Sequence, residues 1–127
     1  MPRTKLLIAD DSVDLLELME LFLGEKVFDV KCASSKKALF STLRNYTPDL
    51  IILDVFIENV DGREICKKLK SDSKTKHVPI IIFSANPYAI ANYKTFGAND
   101  FIEKPFSLEV VLAKIESVLQ QTTNTRS

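Results

Sequence analysis

The chain has 127 residues, a length typical of a single domain. Hydrophobic residues make up 46% of it and charged residues 27%, a composition that argues against intrinsic disorder. Because 17 basic residues balance 17 acidic ones, the chain lacks the basic excess typical of proteins that bind nucleic acid or anionic membranes.

Short apolar runs that end in polar residues predict the strands. In chain order the runs are residues 6–9, 50–53, 80–83 and, more weakly, 101–102, and a strand at 28–33 completes the count. Branched residues within the runs and turn residues around them favour strands over buried helices. Strands that are apolar on both sides belong to a parallel sheet covered by helices on both faces.

The segments between these runs have the periodicity of amphipathic helices. The predicted helices cover about residues 15–24, 34–45, 89–96 and 107–119, and another starts near Asp61. Gly24 and Gly97 suit the ends of the first and fourth helices. Five strands that alternate with five helices predict an α/β fold, a doubly wound (βα)5 domain with a five-stranded parallel sheet and right-handed crossovers.

The rest of the chain offers few other structural signals. No apolar run approaches the roughly 20 residues that a membrane span needs, and the N-terminus has no signal-peptide core. Cys32 and Cys66 form no C-x-x-C motif, so we expect two thiols in a reducing cytoplasm. The last residues are polar and aperiodic. We therefore expect one domain over residues 1–121, followed by a flexible tail or linker stub at 122–127.

Polar residues follow the predicted strands at the points where the strands end. These residues are Asp10, Asp11, Asp54, Ser84 and Lys104. One aspartate after a strand is usually a turn or capping residue, but the carboxyl ends of parallel strands meet at one edge of the sheet. Three carboxylates there repel one another unless a cation lies among them, and oxygen ligands suit Mg²⁺. With the lysine, they predict a site for a phosphoryl group.

The same residues occur within motifs that are similar to those of a known family. The motifs are Ala9-Asp10-Asp11, Leu53-Asp54, Asp61-Gly62, Ser84-Ala85, Gly97-Ala98-Asn99-Asp100-Phe101 and Lys104-Pro105-Phe106. In this order and at these spacings they resemble the receiver domain of two-component response regulators, over residues 4–120. The resemblance implies a flavodoxin-like sheet with strand order 2-1-3-4-5. It also implies a cytoplasmic signalling domain rather than an enzyme.

The resemblance assigns a role to each site residue. Asp54 resembles the phosphoacceptor, which takes its phosphoryl group from a phosphohistidine of a sensor histidine kinase or a histidine phosphotransfer protein. Asp10, Asp11 and Asp54 resemble the carboxylates that hold Mg²⁺, and the backbone carbonyl of Phe56 is expected as a further ligand. Lys104 resembles the lysine that pairs first with Asp54 and then with the phosphoryl group.

The resemblance also implies a switch. Ser84 resembles the hydroxyl that bonds a phosphoryl oxygen, Phe101 falls at the aromatic switch position, and the Lys104–Pro105 peptide bond is expected to be cis. The surface expected to change comprises residues 89–96, 101–103 and 107–119. We expect a partner or a second copy to bind there, and no direct contact of the chain with nucleic acid or membrane. Glu58 departs from the proline that is common in the family.

Two alternative functions start from the same residues. A pseudo-receiver would have the fold but take no phosphate, although such domains typically lack one of the five site residues. A phosphohydrolase of the haloacid dehalogenase kind needs Asp-x-Asp at its nucleophile, whereas this chain has Asp54-Val55-Phe56. A glycine-rich phosphate loop is missing after the first strand, which disfavours nucleotide binding. Whether the receiver stands alone or is part of a longer regulator stays open.

Overall fold

Five parallel strands form the central sheet in a computed structural model that describes residues 3–57 and 60–126. The strands are β1 (Thr4–Ala9), β2 (Phe28–Ala33), β3 (Leu50–Asp54), β4 (Ile80–Ser84) and β5 (Asp100–Glu103). Their order in the sheet is β2-β1-β3-β4-β5, and every neighbouring pair is parallel. The fold class expected from the sequence and the strand order implied by the family resemblance are confirmed.

The register of the strands places their carboxyl ends together. Leu53 of β3 lies opposite Ala9 of β1 on one side and Ile82 of β4 on the other. Ser84 at the end of β4 pairs with Glu103 of β5. The residues that follow β1, β3, β4 and β5 therefore share one edge of the sheet.

Five helices cover the two faces of the sheet. They are α1 (Val13–Glu25), α2 (Lys36–Leu43), α3 (Gly62–Ser71), α4 (Pro87–Ala91) and α5 (Leu108–Arg126). Side-chain caps fix where the first two helices begin: the Ser12 hydroxyl accepts a hydrogen bond from the Leu15 amide, and the Ser35 hydroxyl accepts one from the Ala38 amide.

The buried apolar side chains form one cluster on each face of the sheet. One cluster joins the sheet to α1 and α5 through residues such as Met19, Leu23 and Ile115. The other joins it to α2, α3 and α4 through residues such as Leu39, Ile65 and Ala89. Since β1, β3 and β4 contribute to both clusters, the central strands are apolar on both sides, as their sequences indicate.

The segment between β4 and β5 differs from the single predicted helix. Helix α4 starts earlier, at Pro87, because the Asn86 side chain accepts a hydrogen bond from the Tyr88 amide and proline suits the first turn. It ends after Ala91, and a separate 3₁₀ turn follows at Tyr93–Phe96. Gly97 then terminates the turn at a φ of 93°, in the left-handed region.

Two further elements were not expected. A short antiparallel pair joins Phe56–Ile57 to Val60–Asp61 between β3 and α3; Glu58, which replaces the common proline, lies outside the described residues. Helix α5 continues to Arg126, through the polar segment expected to be a tail. That segment holds neither glycine nor proline to stop a helix, and the domain boundary at residue 121 stays a prediction. Across the described chain, every helix is too short or too polar to cross a membrane.

Both cysteines are free thiols, Cys66 buried and Cys32 half-buried. Burial raises the pKa of Cys66 to about 11. Burial, followed by the charge of Glu20, raises the pKa of Cys32 to about 12. Because the thiolate is the reactive form of cysteine, both side chains are chemically quiet at neutral pH.

Candidate functional site

Three carboxylates meet at the carboxyl edge of the sheet. Asp10 and Asp11 follow β1, Asp54 ends β3, and one oxygen from each lies within 4.8 Å of the others. Their exposure differs: the Asp10 side chain is buried, that of Asp54 is mostly buried, and Asp11 is exposed. The cluster is therefore closed to solvent at Asp10 and open to solvent at Asp11.

Lys104 connects two of these carboxylates. Its ammonium lies 2.9 Å from Asp10 Oδ2 and 3.5 Å from Asp54 Oδ2. The other oxygen of Asp10, Oδ1, accepts a hydrogen bond of 2.9 Å from the Ser12 amide. Both oxygens of Asp10 are therefore bound, one by the Ser12 amide and one by Lys104. The contact with Asp10 holds the Lys104 ammonium beside Asp54.

The surroundings of Asp54 raise the pKa of its carboxyl group. Burial raises its pKa above the usual value, and the negative charge of Asp10 raises it further. Lys104 and the Phe56 amide, which donates to Asp54 Oδ1 at 3.4 Å, act in the opposite direction. A carboxylate in this position gains from any additional positive charge.

Gly62 allows α3 to start against the end of β3. Its amide donates a hydrogen bond to the Val55 carbonyl. A Cβ at this position would meet the backbone oxygen of Asp54 and would lie 2.6 Å from that of Val55. The absence of a side chain at Gly62 therefore sets the backbone that carries Asp54.

Ser84 is placed at the same edge but is bonded elsewhere. Its side chain is buried, and its hydroxyl accepts a hydrogen bond of 2.8 Å from the Asn86 amide. A longer contact of 3.5 Å runs from the hydroxyl to the Asn86 carbonyl. The hydroxyl is thus engaged with the loop before α4 rather than with the carboxylates.

Phe101 lies on the α4 side of β5. Its ring packs against Tyr93 of the 3₁₀ turn, with ring centroids 5.1 Å apart. The Lys114 ammonium lies 4.7 Å from the Phe101 centroid and forms a 2.9 Å ion pair with Asp100. The ring is half-buried and links the 3₁₀ turn, β5 and α5.

The sequence belongs to a known family. The family model described as the response regulator receiver domain matches residues 6–116. The chain is a response regulator receiver domain. Its acidic cluster accords with that family as a place where a metal could bind.

Curated relatives of this receiver domain are roughly twice as long. It is 35% identical over 120 residues to the response regulator ArlR of Staphylococcus saprophyticus, covering 93% of the receiver and 53% of ArlR. It is 32% identical over 124 residues to the DNA-binding dual master transcriptional regulator RpaA of Synechocystis, covering 96% and 51%. The receiver therefore spans about half the length of these relatives.

Solved structures share the fold. A two-component response regulator from Clostridium difficile superimposes with a TM-score of 0.85 at 28% identity, covering 93% of this receiver and 97% of that chain. The chemotaxis response regulator CheY4 of Vibrio cholerae gives a TM-score of 0.84 at 24% identity, covering 91% and 98%. At that identity the likeness to CheY4 shows the fold alone.

Two aromatic residues near the site received no role from the sequence, although Phe106 is part of the Lys104-Pro105-Phe106 motif. The Phe83 ring lies 5.6 Å from the Lys104 ammonium and stacks on Phe106 with centroids 5.1 Å apart. The Lys104–Pro105 peptide bond, just before Phe106, is cis. Each phenylalanine flanks a predicted site residue, Phe83 before Ser84 and Phe106 after Pro105, and that adjacency was the available signal.

Proposed function

We propose that this receiver domain accepts a phosphoryl group on Asp54 from a phosphohistidine of a sensor histidine kinase or histidine phosphotransfer protein. The proposal rests on the groups that surround the carboxylate of Asp54. Asp54 lies within reach of the Lys104 ammonium and of both other carboxylates, and its side chain remains partly exposed to solvent. Asp10 is buried and already held by two donors, so it is a poor nucleophile.

The transfer exchanges one bond to phosphorus for another. An oxygen of the ionised Asp54 attacks phosphorus, a new O–P bond forms, and the P–N bond to the donor histidine breaks. The bonding electrons stay on the histidine nitrogen, which takes a proton from solvent. Lys104 neutralises negative charge at the receiving oxygen and is placed to pair with the transferred group.

The donor set suits Mg²⁺ as a cofactor. Carboxylate oxygens within 4.8 Å of one another, with an exposed member at Asp11, match the oxygen ligands and open positions that this ion prefers. We propose Asp11, Asp54 and the Phe56 carbonyl as direct ligands, with Asp10 supporting them. When bound, the ion supplies positive charge that offsets repulsion between the carboxylates and the incoming phosphoryl oxygens.

We further propose that Ser84 and Phe101 transmit the modification. A phosphoryl group adds roughly −1.5 to −2 charges at the site and offers strong acceptors, so the Ser84 hydroxyl exchanges its bond with Asn86 for one with a phosphoryl oxygen. That movement leaves room beside β4 for the Phe101 ring. The surface of α4, β5 and α5 then changes, and a partner or a second copy binds there.

The wider role follows from the same proposal. The domain acts as a cytoplasmic phosphoacceptor and catalyses no turnover of an external substrate. Because basic and acidic residues balance over the whole chain, we expect residues 1–121 to make no direct contact with nucleic acid or membrane. RpaA is by name a DNA-binding regulator of about twice this length, so a DNA-directed output would require a protein segment other than this receiver.

Intact-mass measurement after incubation with acetyl phosphate and Mg²⁺ tests the proposal. We expect one added phosphoryl group on the native chain and none on Asp54→Asn. The matched control is Asp49→Asn, which removes an exposed carboxylate just before β3 that accepts a 2.8 Å hydrogen bond from the Lys5 amide, and this variant should accept phosphate as the native chain does. An unmodified native chain would favour the pseudo-receiver, and modification that persists in Asp54→Asn would place the acceptor elsewhere.

A further inference from the structure

The neutral net charge of the chain conceals an uneven distribution over the two faces of the sheet. Helix α1 has four acidic residues and no basic one: Asp14, Glu17, Glu20 and Glu25. On the opposite face, residues 34–48 around α2 have three basic residues and no acidic one. Residues 63–76, which include most of α3, add six basic residues against two acidic ones. The surface of α2 and α3, the α2–α3 face, is therefore strongly basic.

A pocket of about 140 Å³ opens in this face between the C-terminal ends of α2 and α3. Phe40, Leu43 and Leu69 form its apolar wall, and Arg44, Lys68, Lys74 and Asp72 lie around its rim. Apolar cavities of about 150 Å³ hold a single benzene ring. The pocket therefore has room for one leucine or phenylalanine side chain, and it is too small for a nucleotide.

The three cations at the rim have no carboxylate of their own. Across residues 3–57 and 60–126, none of Arg44, Lys68 and Lys74 forms an ion pair. Asp72, the carboxylate at the rim, accepts a 2.9 Å hydrogen bond from the Lys74 amide of its own turn. The Lys68 ammonium instead lies 4.7 Å from the centroid of the Phe40 ring.

We propose that this pocket is a docking site for an acidic amphipathic helix of another protein. One apolar side chain of that helix fills the pocket, and carboxylates on the adjacent turns pair with Arg44, Lys68 and Lys74. Charge complementarity selects an acidic ligand, and the apolar wall selects one that also carries an aliphatic or aromatic anchor. A polyanion such as DNA offers the charge without the anchor, so the pocket favours a protein.

The docking site lies at the edge of the sheet opposite Asp54. The pocket is formed where α2 and α3 end, just before β3 and β4 begin, whereas Asp54 is the last residue of β3. A strand of this length separates the two edges by about 15 Å. Binding at the α2–α3 face is therefore independent of phosphorylation, and it holds the receiver beside a partner in both signalling states.

A synthetic helical peptide rich in Glu and Ala, with leucines spaced i, i+4 and i+7, provides the probe. Titrated into the ¹⁵N-labelled full chain, it should shift amide signals of residues 36–48 and 68–76, with a dissociation constant on the order of 0.1 mM. Lys68→Glu combined with Lys74→Glu should weaken binding about tenfold or more. The matched double variant Lys26→Glu with Lys94→Glu, on other surfaces, should change it less than about twofold.

Other results would overturn the assignment. If a peptide with serine in place of leucine binds equally well, charge alone is recognised and the ligand class is a polyanion. If the same amides shift when the protein alone is concentrated, the occupant is a second copy. Shifts confined to other faces, or no saturation, exclude the site.

Repeating the titration with beryllofluoride and Mg²⁺ separates this site from the phosphoacceptor. We expect an affinity within about twofold of that of the resting protein, since the pocket and Asp54 lie at opposite edges. If Asp54 proves to take no phosphate, the peptide titration of the resting protein is unaffected, so a failure of the proposed function is distinguishable from a failure of the docking site. An affinity that changes markedly on activation contradicts a separate docking site.

Discussion

The ammonium of Lys104 lies 2.9 Å from Asp10 and 3.5 Å from Asp54, so its nearer partner is the buried carboxylate rather than the proposed phosphoacceptor. The Asp10 side chain is only 1% exposed. Lys104 therefore neutralises the buried carboxylate of Asp10 in addition to its proposed role beside the phosphoryl group. A buried carboxylate without a cation lowers the stability of the folded state.

Removing the Lys104 charge should therefore destabilise the domain. We expect Lys104→Met to lower the free energy of unfolding by about 2 kcal/mol, because Asp10 is left buried without its cation. The matched control is Lys114→Met, which breaks an ion pair of the same 2.9 Å length to Asp100, whose side chain is 21% exposed. That change should cost at most about 1 kcal/mol. If urea denaturation gives the same loss of unfolding free energy for both variants, the burial of Asp10 adds nothing to the stabilising effect of its ion pair.

Mg²⁺ should stabilise the native chain. An ion that binds only the folded state raises its stability by mass action, by about 2.7 kcal/mol at a hundred times the dissociation constant. Asp11→Asn should raise the melting temperature without metal, because repulsion within the cluster falls, and should reduce the response to Mg²⁺. Asp14→Asn removes an exposed carboxylate of α1 outside the cluster and serves as the control. A melting temperature indifferent to Mg²⁺ would contradict the proposed metal site.

The raised pKa of Asp54 predicts a pH-dependent stability without metal. The folded state binds the proton of this carboxyl more tightly than the unfolded state, whose pKa is near the ordinary 3.8. This contribution to stability is present below pH 3.8 and is lost as the pH rises through the raised pKa of the folded state. In EDTA, the stability of Asp54→Asn relative to the native chain should therefore rise as the pH increases from 3.8 through the raised pKa of Asp54. A difference that stays constant over that range in denaturant titrations would argue against the raised pKa.

Replacing each of two glycines by alanine should change the stability of the domain in opposite directions. Gly62→Ala places a methyl group against the backbone oxygens of Asp54 and Val55, so we expect a loss of about 2 kcal/mol and slower phosphorylation by acetyl phosphate. A Cβ at Gly24, within α1, would have no heavy atom within 4 Å, and Gly24→Ala should gain about 0.5–1 kcal/mol. Thermal melts of both variants test this prediction. A change of melting temperature in the same direction in both variants would contradict it.

Val27 holds backbone strain at the turn between α1 and β2. Its φ is 64°, in the left-handed region that disfavours a branched side chain, and 66% of the residue is exposed. Val27→Gly should relieve the strain and raise the free energy of unfolding by about 1 kcal/mol. Val13→Gly, at an exposed helical position, should lower it by about 0.5–1 kcal/mol. Loss of stability in both variants would mean that Val27 is not strained.

The sheet could be predicted from the sequence because its central strands β1, β3 and β4 contain continuous apolar runs that end in polar residues. The elements that differ are those in which local competition decides. Residues 89–96 have the spacing of one helix, but the cap at Asn86 moves the start to Pro87 and the last four residues form a 3₁₀ turn. The strands Phe56–Ile57 and Val60–Asp61 have two residues each, too few to show a periodicity.

The approach of Asp10, Asp11, Asp54 and Lys104 was expected, because each follows a strand of one parallel sheet. Which carboxylate lies nearer to Lys104 depends on side-chain conformations that no sequence spacing encodes. The contacts of Phe101 with Tyr93 and Lys114 join three separate elements, so they too became visible only in the folded chain. The roles of these residues in phosphorylation stay predictions.

The division of the β4–β5 connection into a five-residue helix and a 3₁₀ turn has an energetic consequence. A helix of this length cannot sustain itself, because nucleation costs more than one or two hydrogen bonds return. Its amides should open to hydrogen exchange at far lower free energy than those of β3, whose side chains are buried on both sides of the sheet. The segment beside Phe101 can thus be reshaped by a small input of free energy while the sheet stays closed.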